Sequence, residues 1–100
     1  MPEVNTSNGG AITSGGHRAG VWIIDHHPLL RSGLKNRLEE SNFRVLSEGS
    51  TLLEAINQEK SEQAPDLVIL DLDAGIATIG EIKRLHPQSY VIVMACHAEI

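Results

Sequence analysis

Two short apolar runs in this chain each end on an aspartate: Val21-Trp22-Ile23-Ile24 on Asp25, and Leu67-Val68-Ile69-Leu70 on Asp71. Neither run alternates with polar residues, as a half-exposed strand would. An unbroken apolar run with a charged stop predicts a strand buried on both faces, the condition of a parallel sheet covered by helices. Phe43 to Leu46 and Val91 to Ala95 read as two more strands, the second and the fourth in order.

Helical patterns fill the intervals. Pro28 suits a first helical position, where its missing N–H costs nothing, and Leu30, Leu34 and Leu38 follow as one apolar stripe. Thr51 to Glu54 has the spacing of a capping box, with Leu53 and Ile56 predicted as the inward face of a helix reaching about Lys60. Thr78 to Glu81 repeats that spacing. Ile79, Ile82 and Leu85 give the next helix its apolar side, and His86-Pro87 stops it. Strands alternating with helices of this length predict βαβ units with right-handed crossovers, an α/β fold.

The rest of the composition narrows the function. Residues 1–20 hold five of the nine glycines and almost no bulky apolar side chain, which predicts a flexible N-terminal tail ahead of one domain at 21–100. Eight Lys and Arg against 13 Asp and Glu, a net charge of −5 with no basic cluster, argue against direct nucleic-acid binding by this segment. The longest apolar run, Val91 to Cys96, is far short of the ~20 residues that span a bilayer, and no secretory signal pattern opens the chain. A single cysteine permits no internal disulfide, which points to a reducing, cytoplasmic setting. With three aromatic residues the core must be aliphatic.

In open α/β sheets, sites form outside the carboxyl ends of the strands, near the point where strand order reverses. Asp25 and Asp71 close strands at that edge, and neighbouring strands would put both carboxylates in one crevice. Asp73 stands two residues further on. Hard cations such as Mg²⁺ take oxygen ligands of this kind, and a carboxylate beside such a cation can attack phosphorus to form an aspartyl phosphate. The competing reading of a lone strand-end aspartate is a helix cap. His26-His27 is a metal-binding candidate that adjacency disfavours, since neighbouring side chains tend to point apart. Cys96-His97 lacks the third group that would orient a catalytic dyad, and reads as a small buried thiol.

The stretch from Val21 through Asp25-His26-His27-Pro28-Leu29-Leu30-Arg31-Ser32-Gly33-Leu34 resembles the opening of response-regulator receiver domains, especially those joined to helix-turn-helix outputs (the NarL/FixJ type). Pro65-Asp66-Leu67-Val68-Ile69-Leu70-Asp71-Leu72-Asp73 is similar to their phosphoacceptor strand, and Ile82 to Pro87 followed by Val91 to Met94 resembles their third helix and fourth strand. The resemblance implies a CheY-like, flavodoxin-like doubly wound parallel sheet. Its expected order is 2-1-3-4, with the chain stopping before a fifth strand and the last helices. It further implies that Asp71 is the phosphoacceptor, that Asp25, Asp71 and Asp73 are metal ligands, and that a histidine kinase or another signalling protein is the partner.

The departures from the family pattern matter as much. Receivers carry two consecutive acids after the first strand, whereas this chain has Asp25 and then His26, and imidazole is a poor ligand for Mg²⁺. Ala74-Gly75 replace the usual Met-Pro. Ala95 stands at the position of the switch Ser or Thr and has no hydroxyl. The expectation is a non-enzymatic pseudo-receiver or truncated remnant with weak Mg²⁺ binding, acting through protein contacts. The exposed fourth-strand edge would make it prone to homodimerise. Two alternatives remain: an active receiver phosphorylated on Asp71 by a histidine kinase, and a haloacid-dehalogenase-like phosphatase using Asp71 and Asp73.

Overall fold

Eight segments of regular structure alternate along the chain in a computed structural model that describes residues 18–95. They are β1 (Gly20–Ile24), α1 (Pro28–Glu40), β2 (Arg44–Gly49), α2 (Leu52–Gln58), β3 (Leu67–Asp71), a 3-10 turn (Leu72–Ala74), α3 (Ile76–Leu85) and β4 (Tyr90–Met94). The four strands form one parallel sheet in the order β2-β1-β3-β4, as the resemblance implies. The predicted tail falls on residues that, up to 17, lie outside those described; Gly20, its last residue, opens β1.

β1 is unbroken in its apolarity because both of its faces are covered. Trp22 and Ile24 join Val68, Leu70, Ala55 and Ile82 in one buried cluster, under α2 and α3. Val21 and Ile23 join Ile69 in another, against Leu34 and Leu38 of α1. Trp22 is the one large aromatic inside. Its indole Nε1–H donates to Glu59 Oε2 at 2.9 Å, and its ring meets His86 edge-on at 5.1 Å, so its polar atom is satisfied at the margin of the core.

β2 runs three residues beyond the predicted stretch because it is an edge strand and tolerates polar residues. Ser47, Glu48 and Gly49 pair with Trp22, Ile23 and Ile24, after a register shift that leaves Leu46 unpaired. Ser47 is buried, and its hydroxyl donates to Ala55 O at 2.5 Å.

Two helix faces differ from the predicted ones. In α2, Ala55 is buried and Leu52 packs on the core, whereas Leu53 and Ile56 are exposed at 66% and 38%. The row containing the small Ala55 lets α2 approach β2 closely, and that approach decides the face. In α3, Ile79 and Ile82 face inward, but Leu85 is exposed. The second capping box does not form either. α3 begins at Ile76 after Gly75, so Thr78 lies inside the first turn and its hydroxyl donates back to Ala74 O at 2.8 Å. The first capping box does form: Thr51 Oγ1 accepts from Glu54 N at 3.1 Å. Glu54 Oε1 in turn accepts from Ser50 N, one residue ahead of the cap.

Candidate functional site: an aspartate–histidine pocket

The parallel register of β1 with β3 sets Ile24 beside Leu70, so the residues that follow, Asp25 and Asp71, emerge together at the carboxyl edge of the sheet. Both are 4% exposed. Asp25 is fixed from several sides. Its N–H donates to Gly49 O at 3.0 Å, and its carbonyl accepts from Arg31 at 2.7 Å. Its Oδ1 accepts from His27 N at 2.7 Å and lies 2.8 Å from His27 Nδ1. The whole turn leaving β1 is thus folded back on this one carboxylate.

Asp71 divides its two oxygens. Oδ1 accepts from Asp73 N at 3.2 Å, so the capping reading of this residue holds for that oxygen, which opens the 3-10 turn. Oδ2 is buried and, among the described residues, receives no hydrogen bond. His26 Nδ1 comes within 2.7 Å of it, off the hydrogen-bonding direction, and His27 Nδ1 within 3.6 Å. A buried anionic oxygen without a donor is costly, and such a group calls for a counter-charge.

The two imidazoles overturn the expectation that neighbours diverge. Their ring centroids are 4.2 Å apart; His26 Nδ1 faces Asp71 Oδ2, while His27 Nδ1 meets Asp25 Oδ1 at 2.8 Å and lies 3.6 Å from Asp71 Oδ2. Divergence holds for side chains on a strand, but His27 caps α1 in the turn after β1, where no strand pleat separates successive residues. One ligand atom each from Asp25, His26, His27 and Asp71 lie within 4.8 Å of one another. Asp73 stays at the rim: its side chain is 70% exposed, with Oδ2 3.9 Å from His26 Nε2. Ala95 follows Met94, the β4 partner of Asp71, so a methyl group stands at the next position along that edge. Cys96 and His97 lie outside the described residues.

Arg31 escaped the sequence reading. From the first turn of α1 its Nη1 donates to Asp25 O and to Ser50 Oγ, and its Nε to Glu48 Oε1, at 2.7, 3.1 and 3.2 Å. It joins the β1–α1 and β2–α2 turns beneath the pocket. A groove of about 900 Å³ opens beside the site between α2 and α3, its apolar wall made by Leu52, Leu53, Ile56 and Leu85, with His26 and Asp73 at one end.

The donor set does not fit Mg²⁺. That ion demands a nearly ideal octahedron of oxygens, whereas two of the four side chains that converge here present nitrogen. Among the described residues no helix is long and apolar enough to cross a membrane.

A doubly wound parallel sheet in the order 2-1-3-4, with paired aspartates at the carboxyl edge of its central strands, is the arrangement expected of the receiver class of α/β protein. Residues 21–100 match the family model described as "Response regulator receiver domain", and the chain belongs to that family. It is 33% identical over 86 residues to the transcriptional activator protein ExaE of Pseudomonas putida, a match covering 81% of this chain and 40% of that one. It is 36% identical over 70 residues to a nitrate/nitrite response regulator homologue of Haemophilus influenzae, covering 68% of this chain and 33% of the relative. Among solved structures it resembles a LuxR family DNA-binding response regulator from Silicibacter pomeroyi. That match has TM-score 0.63 and 32% identity, with 77% of this chain and 62% of that one covered. The chain thus spans a third to two fifths of the length of these two curated relatives. The alternative of a dehalogenase-like phosphatase gives way to the receiver family.

Proposed function

We propose that this receiver domain works as a cytoplasmic pseudo-receiver, transmitting a signal through protein contacts rather than through efficient phosphorylation of Asp71. One observation carries the reading: the His26 imidazole stands 2.7 Å from Asp71 Oδ2, where the family places an acid. It removes a negative charge and a hard oxygen ligand from the pocket, and it blocks the approach to the one oxygen of Asp71 not already bonded. Ala95 supports the same reading, because it has no hydroxyl to hold a phosphoryl group. The partners proposed are a histidine kinase or another signalling protein, and a second copy pairing along β4. β4 bonds to β3 on one side and exposes Tyr90, Ile92 and Val93.

A second reading, an active receiver, draws on the same oxygen. Among the described residues Asp71 Oδ2 accepts no hydrogen bond, so once the His26 imidazole turns aside it can attack phosphorus, forming an acyl phosphate as the donor's leaving group departs. Incubation with acetyl phosphate and Mg²⁺, followed by intact-mass measurement, separates the two. Little or no mass increase is expected. Stoichiometric labelling that disappears in Asp71→Asn would establish the active receiver instead.

A further inference from the structure

We infer that Asp25, His26, His27 and Asp71 form a binding site for a divalent transition cation, with Zn²⁺ the best match to the donors. The inference deepens the reading above by naming a ligand for the same pocket. Three observations carry it. The four ligand atoms lie within 4.8 Å of one another on two adjacent strand ends. Asp71 Oδ2, on a side chain 5% exposed, has no hydrogen bond and faces the Nδ1 atoms of both histidines. Asp73 Oδ2 lies 3.9 Å from His26 Nε2, beyond hydrogen-bond length, and a turn of its exposed side chain would bring a carboxylate onto the imidazole nitrogen that faces away from the pocket. A carboxylate bonded to that outer nitrogen is what fixes the tautomer of metal-bound histidines.

Two nitrogens and two carboxylate oxygens suit Zn²⁺, which binds four such donors tetrahedrally at about 2.0–2.2 Å. Bonds of that length set the donors about 3.3–3.5 Å apart. His27 Nδ1 and Asp71 Oδ2, at 3.6 Å, already stand near this spacing. The pairs at 2.7 and 2.8 Å must open by roughly 0.6 Å to reach it. The histidines are about half exposed, so rotation of their side chains supplies that movement without disturbing the core. Each imidazole then gives the lone pair of Nδ1 to the cation and carries its proton on Nε2.

Occupancy has a consequence for Asp71. Its Oδ1 is held by the Asp73 amide, so the cation takes Oδ2, the atom a phosphodonor would meet. Metal binding and phosphorylation therefore compete for one oxygen. The cation would also fasten the turn after β1 to the end of β3.

The test uses the full chain without a histidine tag. Zn²⁺ and Mg²⁺ are titrated by calorimetry, and Co²⁺ by visible absorption, with circular dichroism to check the fold of each variant. Expected are one Zn²⁺ per chain, the strong absorption of tetrahedral Co²⁺, and weaker binding of Zn²⁺ by tenfold or more in His27→Gln and in His26→Gln. Asp73→Asn, which keeps all four ligands, should weaken Zn²⁺ about 10–100-fold. Absence of saturable Zn²⁺ binding overturns the inference. So does binding that His26→Gln and His27→Gln leave unchanged, which would place the ion elsewhere on the surface. Acetyl phosphate labelling tests the other reading alone: a Zn²⁺-binding chain labelled fully in Mg²⁺ keeps the site and loses the pseudo-receiver.

Discussion

One substitution, glycine to alanine, should change the stability of this domain in opposite directions at three positions. At Gly49 an added Cβ would lie 2.7 Å from Glu54 Cβ and 2.8 Å from Ala55 N. Ordinary contacts begin near 3.4 Å, so β2 and α2 must part by about 0.6–0.7 Å. Backbone on the receiving side cannot swing away as a side-chain tip can. Forcing a methyl group into such packing costs about 1–3 kcal/mol. Alanine's reduced freedom in the unfolded chain returns about 0.4–1 kcal/mol. The net expectation is a loss of roughly 1–2 kcal/mol, which lowers the Tm of a domain this size by about 4–16 °C. Gly33 in α1 and Gly80 in α3 have nothing within 4 Å of the same Cβ. There alanine should add about 0.5–1 kcal/mol, the ordinary helix-interior preference. Thermal and urea unfolding followed by circular dichroism at 222 nm would measure all three. A Gly49→Ala domain as stable as the parent would show that the contact between β2 and α2 is not what fixes the face α2 presents.

Gly75→Ala tests conformation instead of space. Gly75 has φ of +95° and open surroundings, so the substitution should cost about 1–3 kcal/mol through backbone strain alone, read by the same unfolding curves. A neutral result would mean that the turn into α3 relaxes. Trp22→Phe should keep most of the buried area while breaking the bond to Glu59, for a loss of about 1–2 kcal/mol. Pairing it with Glu59→Ala in a double-mutant cycle isolates the bond, and a coupling energy near zero would dismiss it.

The sheet was legible because its inner strands announce themselves. β1 and β3 are buried on both faces, so every residue of each run is apolar and the stop is an aspartate. The helix faces were less legible, and α2 shows why. Leu52 and Ala55 lie on one row, Leu53 and Ile56 on the next, and periodicity alone cannot say which row meets the sheet. Gly49 bears on it, because without a Cβ there the backbone at Glu54 and Ala55 comes close to β2 and Ala55 is buried. Two identical Thr-x-x-Glu patterns behaved differently for a similar reason. Thr51 follows an extended chain and caps, whereas Gly75 with its positive φ starts α3 three residues ahead of Thr78. In the site, the shared position of Asp25 and Asp71 followed from strand order. The convergence of His26 and His27 did not, because it depends on the turn after β1 and on contacts with residues far along the chain.

Arg31 gives that last point a measurable form. Its guanidinium spans the backbone carbonyl of Asp25, the hydroxyl of Ser50 and the carboxylate of Glu48, three acceptors on two separate stretches of chain. Lys35 reaches the other oxygen of the same Glu48 at 3.0 Å and has no second task among the described hydrogen bonds. The two cations look alike in a charge count and should differ in effect. Arg31 is 20% exposed at its side chain and Lys35 43%, so the lysine pair is screened and worth about 0–1 kcal/mol. Arg31→Met keeps the aliphatic length but strands the Asp25 carbonyl and Ser50 hydroxyl, for an expected loss of about 1.5–3 kcal/mol. Arg31→Lys should recover little of that loss, since one ammonium cannot reproduce a planar fork aimed at three acceptors. Because Arg31 holds the carbonyl of Asp25 and not its carboxylate, the damage should appear first in the turn that carries His26 and His27. Amide hydrogen exchange at Asp25 and His27, whose N–H groups bond Gly49 O and Asp25 Oδ1, should quicken in Arg31→Met more than in Lys35→Met. Equal exchange and equal stability in the two variants would show that the pocket is held by the sheet alone.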